Sequence, residues 1–180
     1  MKKENELKVA ADANCFIDAV DARSHSYPYL KTILELRDRG LLKLFISRHS
    51  LYEIQKSQNA IDLANTCEIL PYHPIGTWGD QEIVKWGALA GTWNDAKINQ
   101  TVQEDIQNLA KSGTDIRDRG AYIDALRAAV DVYMTSDRQL AGNGSAPRIA
   151  GKYGLKILTP KQFAEETGLI SKFQIYSSVR

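Results

Sequence analysis

Two aspartates stand where predicted buried strands end. Asp12 directly follows the apolar segment Leu7–Ala11, and Asp137 closely follows the apolar segment 132–135. The carboxyl ends of parallel strands form one edge of a sheet, and ligands bind in the crevice outside that edge. We therefore expect the two carboxylates to face one crevice.

Two further acidic residues are predicted to reach the same crevice. Glu53 lies in the first turns after the predicted strand 41–47, and Asp118 begins the helix that leads to the Asp137 strand. Carboxylates at close range repel one another, so such a cluster needs either protonation or a divalent cation. Ligand sets made only of oxygen suit hard cations, which predicts Mg²⁺ or Mn²⁺ with positions left open for a phosphate oxygen.

A divalent ion held in this way activates water and stabilises the charge that builds on phosphorus during phosphodiester hydrolysis. The pattern therefore predicts a metal-dependent phosphodiester hydrolase. The three histidines of the chain have no spacing typical of metal ligands, either with one another or with cysteine, which favours surface or capping roles for them. His49 is placed near Glu53 but is not assigned as a general base. The predicted catalytic residues, which are also the predicted metal ligands, are Asp12, Glu53, Asp118 and Asp137.

Each of these residues also has an ordinary structural interpretation. Asp12 is suited to cap the helix predicted over 14–22, Glu53 to be a solvated helix residue, and Asp137 to start a turn. The helix of Asp118 offers two more carboxylates as reserves, Asp115 and Asp124. Asp124 comes six positions after Asp118, about 120° away around a helix, so one helix cannot aim both at the same point. Asp115 is suited to interact favourably with the helix dipole.

The elements that must position these residues alternate between strand and helix. This alternation predicts a three-layer α/β/α sandwich with a mostly parallel central sheet, built as one domain over residues 1–180. The predicted strands are 7–11, 41–47, 132–135 and 155–158. The predicted helices are 14–22, 29–39, 102–111, 118–130 and 161–167, with one more that is capped by Ser50 and resumes through Ile61–Ala64. Gly113 is predicted to stop the helix 102–111, and the helix 161–167 is predicted to have Thr159 as its cap and Pro160 as its first residue. The stretch 169–180 is predicted to be an edge strand or a tail.

Composition sets limits on function. The chain has 180 residues, of which 43% are hydrophobic and 25% charged, as expected of one globular domain. The balance of 23 basic and 22 acidic residues argues against a strongly basic protein that coats nucleic acid. Cys15 and Cys67 show no disulfide or zinc pattern. The chain has no apolar stretch of membrane-spanning length and no signal sequence at its start, which predicts a cytoplasmic protein that does not enter a membrane.

The middle segment, 71–112, is the least regular part of the sequence. It holds Trp78, Trp86 and Trp93 together with several glycines. Tryptophans can stack on unpaired RNA bases, but packing in the core or at a subunit interface is favoured, and the latter is compatible with a homodimer. Near the C-terminal third, Arg138 and three more basic residues are candidates to guide a phosphate backbone or are solvated surface: Arg148, Lys152 and Lys156.

Four stretches, in order and spread over most of the chain, resemble the PIN-domain family of metal-dependent nucleases: VAADANCFID, SRHSLYEIQK, DRGAYIDALRAAVDVYMTSDRQL and YGLKILTPKQFAEE. The block 118–140 is the most specific. In that family an acidic residue opens an alanine-rich helix, and a short strand then ends on Thr-x-Asp. The ending, an apolar strand followed by Thr-Pro and a helix containing Phe163, is also similar to the family.

The resemblance implies an Mg²⁺- or Mn²⁺-dependent nuclease that acts on RNA, most readily single-stranded RNA. It implies supporting polar roles for Asn14, Thr135 and Ser136, and it favours Asp118 over Asp124 because of the offset of Asp118 from Asp137. The segment 71–112 is longer than in the compact members of the family, which include toxin–antitoxin ribonucleases, and nothing in the sequence supports an antitoxin partner.

Two hypotheses from other classes compete with the nuclease. A phosphoacceptor enzyme is disfavoured because Asp12-Ala13-Asn14 stands where the Asp-x-Asp of haloacid-dehalogenase-like enzymes would be expected. The stronger alternative is a catalytically silent PIN-like scaffold that works as an RNA-binding or protein-interaction module. Keeping four carboxylates together argues against a scaffold, since like charges that nothing neutralises weaken a fold.

Overall fold

The computed structural model describes residues 6–71, 116–142 and 145–168 of the chain. Within these ranges it contains five β-strands and seven α-helices. The strands are β1 (Leu7–Ala11), β2 (Leu42–Ile46), β3 (Glu68–Ile69), β4 (Val132–Met134) and β5 (Lys156–Leu158). The helices are α1 (Ala13–Val20), α2 (Tyr27–Asp38), α3 (Arg48–Glu53), α4 (Gln58–Ala64), α5 (Ile116–Arg127), α6 (Ser145–Lys152) and α7 (Pro160–Thr167), with a 3₁₀ turn at Ile54–Lys56 between α3 and α4.

The five strands form one parallel sheet in the order β3-β2-β1-β4-β5. The register aligns Ala11 of β1 with Ile46 of β2 and with Met134 of β4, so the three strands end at the same level. The predicted α/β sandwich with a parallel sheet is confirmed. From β1 the chain continues to β2 and β3 on one side of β1, and then crosses to β4 and β5 on its other side. The strand order therefore reverses between β1 and β4, which makes this the topological switch point.

Helices cover both faces of the sheet, which is why its strands are almost uninterrupted runs of apolar residues. Val9 and Ala11 of β1 pack into a core with α1, α2, α4 and α7. Ala10, between them, faces the opposite way and packs into a second core with α5 and α6. This alternation decides which side of the sheet each residue at a strand end occupies.

Polar side chains begin the helices that follow the strands. Ser47, at the end of β2, caps α3: its Oγ accepts from the backbone N–H of Ser50 at 3.0 Å. The expectation that Ser50 itself is the cap is therefore wrong. Ser47 has the extended backbone of a strand end, which leaves its hydroxyl beside the first unpaired N–H groups of the helix, whereas Ser50 already lies inside the first turn.

The prediction that Thr159 caps the last described helix is confirmed. Thr159 and Gln162 form a reciprocal capping box at the start of α7, and Pro160 occupies the first turn. Replacing Thr159 with alanine is expected to lower the free energy of unfolding by about 1 kcal/mol, because one N–H of the first turn loses its acceptor. Urea denaturation checks this result. Thr159→Ser, which keeps the hydroxyl, is the control, and an equal loss in both variants would contradict the capping role.

Other boundaries differ from the predictions or lie outside the described residues. Helix α6 was not predicted, because Pro147 and Gly151 lie within it and weaken the helical pattern. Among the residues that the structure describes, no helix has the length and apolar character needed to cross a membrane. The predictions for the tryptophan segment 71–112 beyond its first residue, the helix 102–111, Gly113, Asp115 and the tail 169–180 fall outside the described residues.

Candidate active site

Asp12 and Thr135 lie on the same side of the sheet, at the switch point. Ala10 of β1 and Tyr133 of β4 both pack into the core beneath α5. Asp12 lies two residues after Ala10, and Thr135 lies two residues after Tyr133. Side chains two positions apart in extended chain share a face of the sheet. The neighbouring strands β1 and β4 therefore deliver a carboxylate and a hydroxyl to the same edge.

The Asp12 carboxylate is buried and held at both oxygens. Oδ1 accepts from the backbone N–H of Ala13 at 2.7 Å, and Oδ2 accepts from Oγ1 of Thr135 at 3.0 Å. The Asp12 backbone N–H donates to the Met134 carbonyl at 2.9 Å, which extends the pairing of β1 with β4. Only 2% of Asp12 is exposed. Asp12 thus caps α1, as its ordinary interpretation predicts, and also points an oxygen towards β4.

Thr135 connects Asp12 to Asp137. Its Oγ1 donates to Asp12 and accepts from the backbone N–H of Asp137 at 3.1 Å. The carboxylate of Asp137 then closes a turn, with Oδ1 accepting from the N–H groups of Gln139 at 2.7 Å and Leu140 at 3.4 Å. Oδ2 takes no part in that turn. One hydroxyl therefore contacts both aspartates, which the sequence places at strand ends and the structure places on neighbouring strands.

The electrostatics of this pair favour a cation. Burial is the main cause that raises the pKa of Asp12, and the negative charge of Asp137 raises it further. Hydrogen bonds from the Thr135 hydroxyl and the Ala13 N–H, together with the nearby Tyr133 side chain, lower that pKa but do not offset the burial. No ion pair formed between described residues includes Asp12 or Asp137. Ionised Asp12 is therefore destabilised where it lies, and a nearby positive charge would relieve that cost.

Replacing Thr135 with valine tests the link between the two aspartates. Valine has nearly the same shape, but it leaves the buried Oδ2 of Asp12 without its donor and the Asp137 N–H without its acceptor. We expect the free energy of unfolding to fall by about 1–3 kcal/mol. Thr32→Val is the matched control in urea denaturation, since the Thr32 hydroxyl donates to a carbonyl on an exposed helix surface. If both substitutions lowered the free energy of unfolding equally, the buried Thr135 link would contribute no more to stability than an exposed hydroxyl does.

A second buried carboxylate lies where α3 packs against α5. Asp124 of α5 is completely buried, and its Oδ2 lies 3.9 Å from Nε2 of His49 on α3. Gly120, one turn before Asp124, lies directly under the His49 ring. Burial lowers the pKa of His49. The His49 contact with α5 has a packing role that the sequence did not reveal.

Glu53 and Asp118 are located by the backbone. Glu53 is the half-buried last residue of α3, one turn after His49, so these two residues share the face of α3 that meets α5. Asp118 lies in the first turn of α5, and its side chain lies outside the described part of the structure. The structure therefore brings Asp12 and Asp137 to one site, and places Glu53 and Asp124 on the two helices beside each other.

The residues predicted to have supporting polar roles differ in how far they are buried. Asn14 is exposed in the first turn of α1, and Ser136 is half-buried with its Oγ 3.8 Å from Sγ of Cys15. Sequence reasoning missed Tyr133, whose side chain acts on Asp12. The two-residue spacing of Tyr133 from Thr135 on one strand is the signal that could have found it.

The chemical type of the donor atoms suits a hard cation, although only two carboxylates of the described residues lie at this site. Asp12 and Asp137 offer only carboxylate oxygens, the donors that Mg²⁺ and Mn²⁺ prefer. Within the described ranges, no three or more His, Cys, Asp or Glu side chains are grouped closely enough to hold a metal ion. Mg²⁺ commonly binds through one or two carboxylates and several waters, so the Asp12–Asp137 pair fits such an ion.

Comparison with known proteins identifies no relative. No protein-family model matches the chain, and no curated protein is significantly similar to it. A fold of this kind hosts many unrelated functions, so function has to be argued from the site.

Proposed function

We propose that this protein is a divalent-metal-dependent nuclease, most specifically a ribonuclease that hydrolyses RNA phosphodiester bonds. The observation that carries the proposal is the pair of aspartates at the switch point: the buried carboxylate of Asp12 accepts from the Thr135 hydroxyl, which in turn accepts from the backbone N–H of half-buried Asp137. Ligands of open α/β sheets bind at this place. A negatively charged phosphodiester could approach two carboxylates only if a cation lay between them.

In this mechanism Asp12 and Asp137 hold Mg²⁺ or Mn²⁺. The ion, when bound, supplies an activated water and stabilises negative charge on the phosphate oxygens. Asp12 is suited to its part because hydrogen bonds to both of its oxygens fix its position, and each oxygen keeps a lone pair. Thr135 orients Asp12 through its hydroxyl and orients Asp137 through the backbone, so it acts as a positioning residue.

Further acidic groups come from α3 and α5. Glu53 and Asp118 complete the set that the resemblance to PIN domains implies, with Asp124 as the reserve. Asp124 is completely buried next to His49, and among the described side chains it forms no three-residue metal group with Asp12 and Asp137. Asp118→Asn and Asp124→Asn separate the two: the variant that loses more cleavage activity while remaining folded identifies the acidic residue that α5 contributes.

RNA as the substrate rests on the resemblance to the PIN-domain family and on charge near the site. Arg138, which directly follows Asp137, is exposed, as is Arg148 on α6. An arginine directly after Asp137 can bind a phosphate that flanks the cleaved bond. Single-stranded RNA is the substrate to test first, and the resemblance assigns no target sequence.

The alternative function is a PIN-like scaffold that binds RNA or protein without cleaving. The finding that favours it is the lack of a three-residue metal group among the described side chains. Calorimetric titration with Mn²⁺, together with cleavage of a labelled RNA, separates the two functions. The nuclease is expected to bind Mn²⁺ and to cleave RNA only when a divalent metal is present. RNA binding without Mn²⁺ binding or cleavage would establish the scaffold instead.

A further inference from the structure

A thiol on α1 contacts the residues on both sides of Thr135. Cys15 lies three residues after Asp12 and is buried, with 2% of it exposed. Its Sγ donates to the backbone carbonyl of Met134 at 3.5 Å and lies 3.8 Å from Oγ of Ser136. The thiol therefore spans the point where β4 ends and the next turn begins.

The peptide group that joins Met134 to Thr135 is bound on both sides. Its carbonyl accepts from the Asp12 N–H at 2.9 Å as well as from the Cys15 thiol. Its N–H donates to the Leu158 carbonyl of β5 at 3.0 Å. Because a peptide group is planar, these contacts fix its orientation as a unit, and the Thr135 side chain starts from it.

The contact with Ser136 extends beyond Thr135. Ser136 lies between Thr135, whose hydroxyl donates to Asp12, and Asp137, whose N–H donates to that hydroxyl. A displacement of Ser136 would therefore move the two aspartates relative to each other. Since Asp12 caps α1, the Cys15 contacts connect the turn of Asp137 to the helix that Asp12 begins.

Packing alone offers a different interpretation of Cys15. A free cysteine commonly behaves as a small buried hydrophobe with a weak S–H donor, and Cys15 lines a small apolar cavity beside Phe16 and Ala19. The two interpretations differ in the substitutions that they tolerate. Valine keeps the apolar bulk and loses the donor, whereas serine keeps a donor.

We infer that Cys15 is a positioning residue for the two aspartates: its thiol contacts fix the turn of Asp137 against the start of α1, where Asp12 lies. The effect of these contacts on cleavage rests on the proposed function. Their effect on the position of Asp137 depends only on the folded chain, so it is measured without metal or RNA.

Hydrogen exchange of the Asp137 backbone N–H, followed by NMR on the full chain in EDTA, tests this effect. That N–H donates to Thr135, so its exchange rate reports how often the link opens. We expect Cys15→Val and Cys15→Ala each to raise this rate by about fivefold, the effect of losing one hydrogen bond. Cys15→Ser is expected to stay within about twofold of the wild type. The Leu70 N–H, which donates to the Ile46 carbonyl, is the reference for changes in global stability.

Cys67→Ala is the matched control. Cys67 is the other cysteine of the chain, and its thiol contacts Arg37 of α2 and the Leu63 carbonyl of α4. Its replacement is expected to leave the exchange of Asp137 unchanged. If Cys15→Val does not fold, Cys15→Ala decides the question. Exchange at the wild-type rate in Cys15→Ala, or exchange as fast in Cys15→Ser as in Cys15→Ala, would overturn the inference.

Cleavage of single-stranded RNA in Mn²⁺ separates the positioning role from the proposed function. We expect Cys15→Ala to lower kcat by about tenfold with KM unchanged, since a small displacement of Asp137 misplaces a group that acts in the transition state. Cys15→Ser is expected to restore kcat. Faster exchange with an unchanged kcat would reduce the contacts to a structural role and overturn the inference alone. A wild type that cleaves no RNA in any metal would overturn the proposed function, and exchange at Asp137 would still decide whether Cys15 fixes the turn.

Discussion

Replacing Asp12 with asparagine is expected to lower metal-dependent RNA cleavage by a factor of about 10³ or more, because under the proposed function Asp12 is a charged metal ligand whose loss costs several kcal/mol of transition-state stabilisation. The chain is expected to remain folded. The asparagine oxygen can still accept from the Ala13 N–H, and its amide can donate to Oγ1 of Thr135, since a hydroxyl both donates and accepts.

Initial cleavage rates of labelled single-stranded RNA in Mn²⁺ measure this effect. Asp62→Asn is the matched control, because Asp62 is an exposed aspartate on α4 that accepts from Gln58. The control is expected to cleave at the wild-type rate. Equal rates for Asp12→Asn and the wild type would remove Asp12 from the mechanism, whatever the source of the cleavage.

The second large effect concerns stability in the absence of metal. The folded state holds the pKa of Asp12 above the ordinary value of 3.8, mainly through burial. Between 3.8 and that raised pKa the folded protein binds more protons than the unfolded chain, so the contribution of Asp12 to stability rises as pH falls through this window. Above the window ionised Asp12 destabilises the fold. A saturating divalent ion is expected to reverse this by stabilising the ionised, folded form.

Thermal unfolding in EDTA and in Mn²⁺ tests both parts of this prediction. At neutral pH we expect Mn²⁺ at about 100 times its Kd to stabilise the wild type by about 2.7 kcal/mol. Asp12→Asn is expected to be more stable than the wild type in EDTA and to gain little from Mn²⁺. The prediction is contradicted if Mn²⁺ stabilises both proteins equally, or if Asp12→Asn is the less stable of the two in EDTA at neutral pH.

Local sequence patterns predicted several of the strand and helix boundaries around the site. The bounds of β1 were predicted without error, and Asp12 lies at its end as expected. Thr159 and Pro160 begin the last described helix, as their side chains dictate. These features depend on residues close together in the chain. The parallel direction of the strands was predicted from the alternation of strand and helix. The strand order, which makes β1 and β4 neighbours and so brings the ends that carry Asp12 and Asp137 together, is a finding of the structure.

Contacts between helices could not be predicted in the same way. The position of His49 over Gly120 depends on how α3 and α5 pack, which no spacing within either helix reveals. Asp124 is completely buried for the same reason, although its sequence neighbours do not distinguish it from Asp118. Thr135 was predicted only as a supporting residue. Its link between two aspartates requires the register of β1 with β4 and the turn at Asp137.

The most direct test of the account is the rate of cleavage of a mixed-sequence, labelled single-stranded RNA by the wild type, Asp12→Asn and Asp137→Asn, each measured in Mn²⁺, in Mg²⁺ and in EDTA. The account predicts cleavage by the wild type in metal, none in EDTA, and loss of metal-dependent cleavage in both variants. Cleavage that persists in EDTA, or that both variants retain, would contradict it.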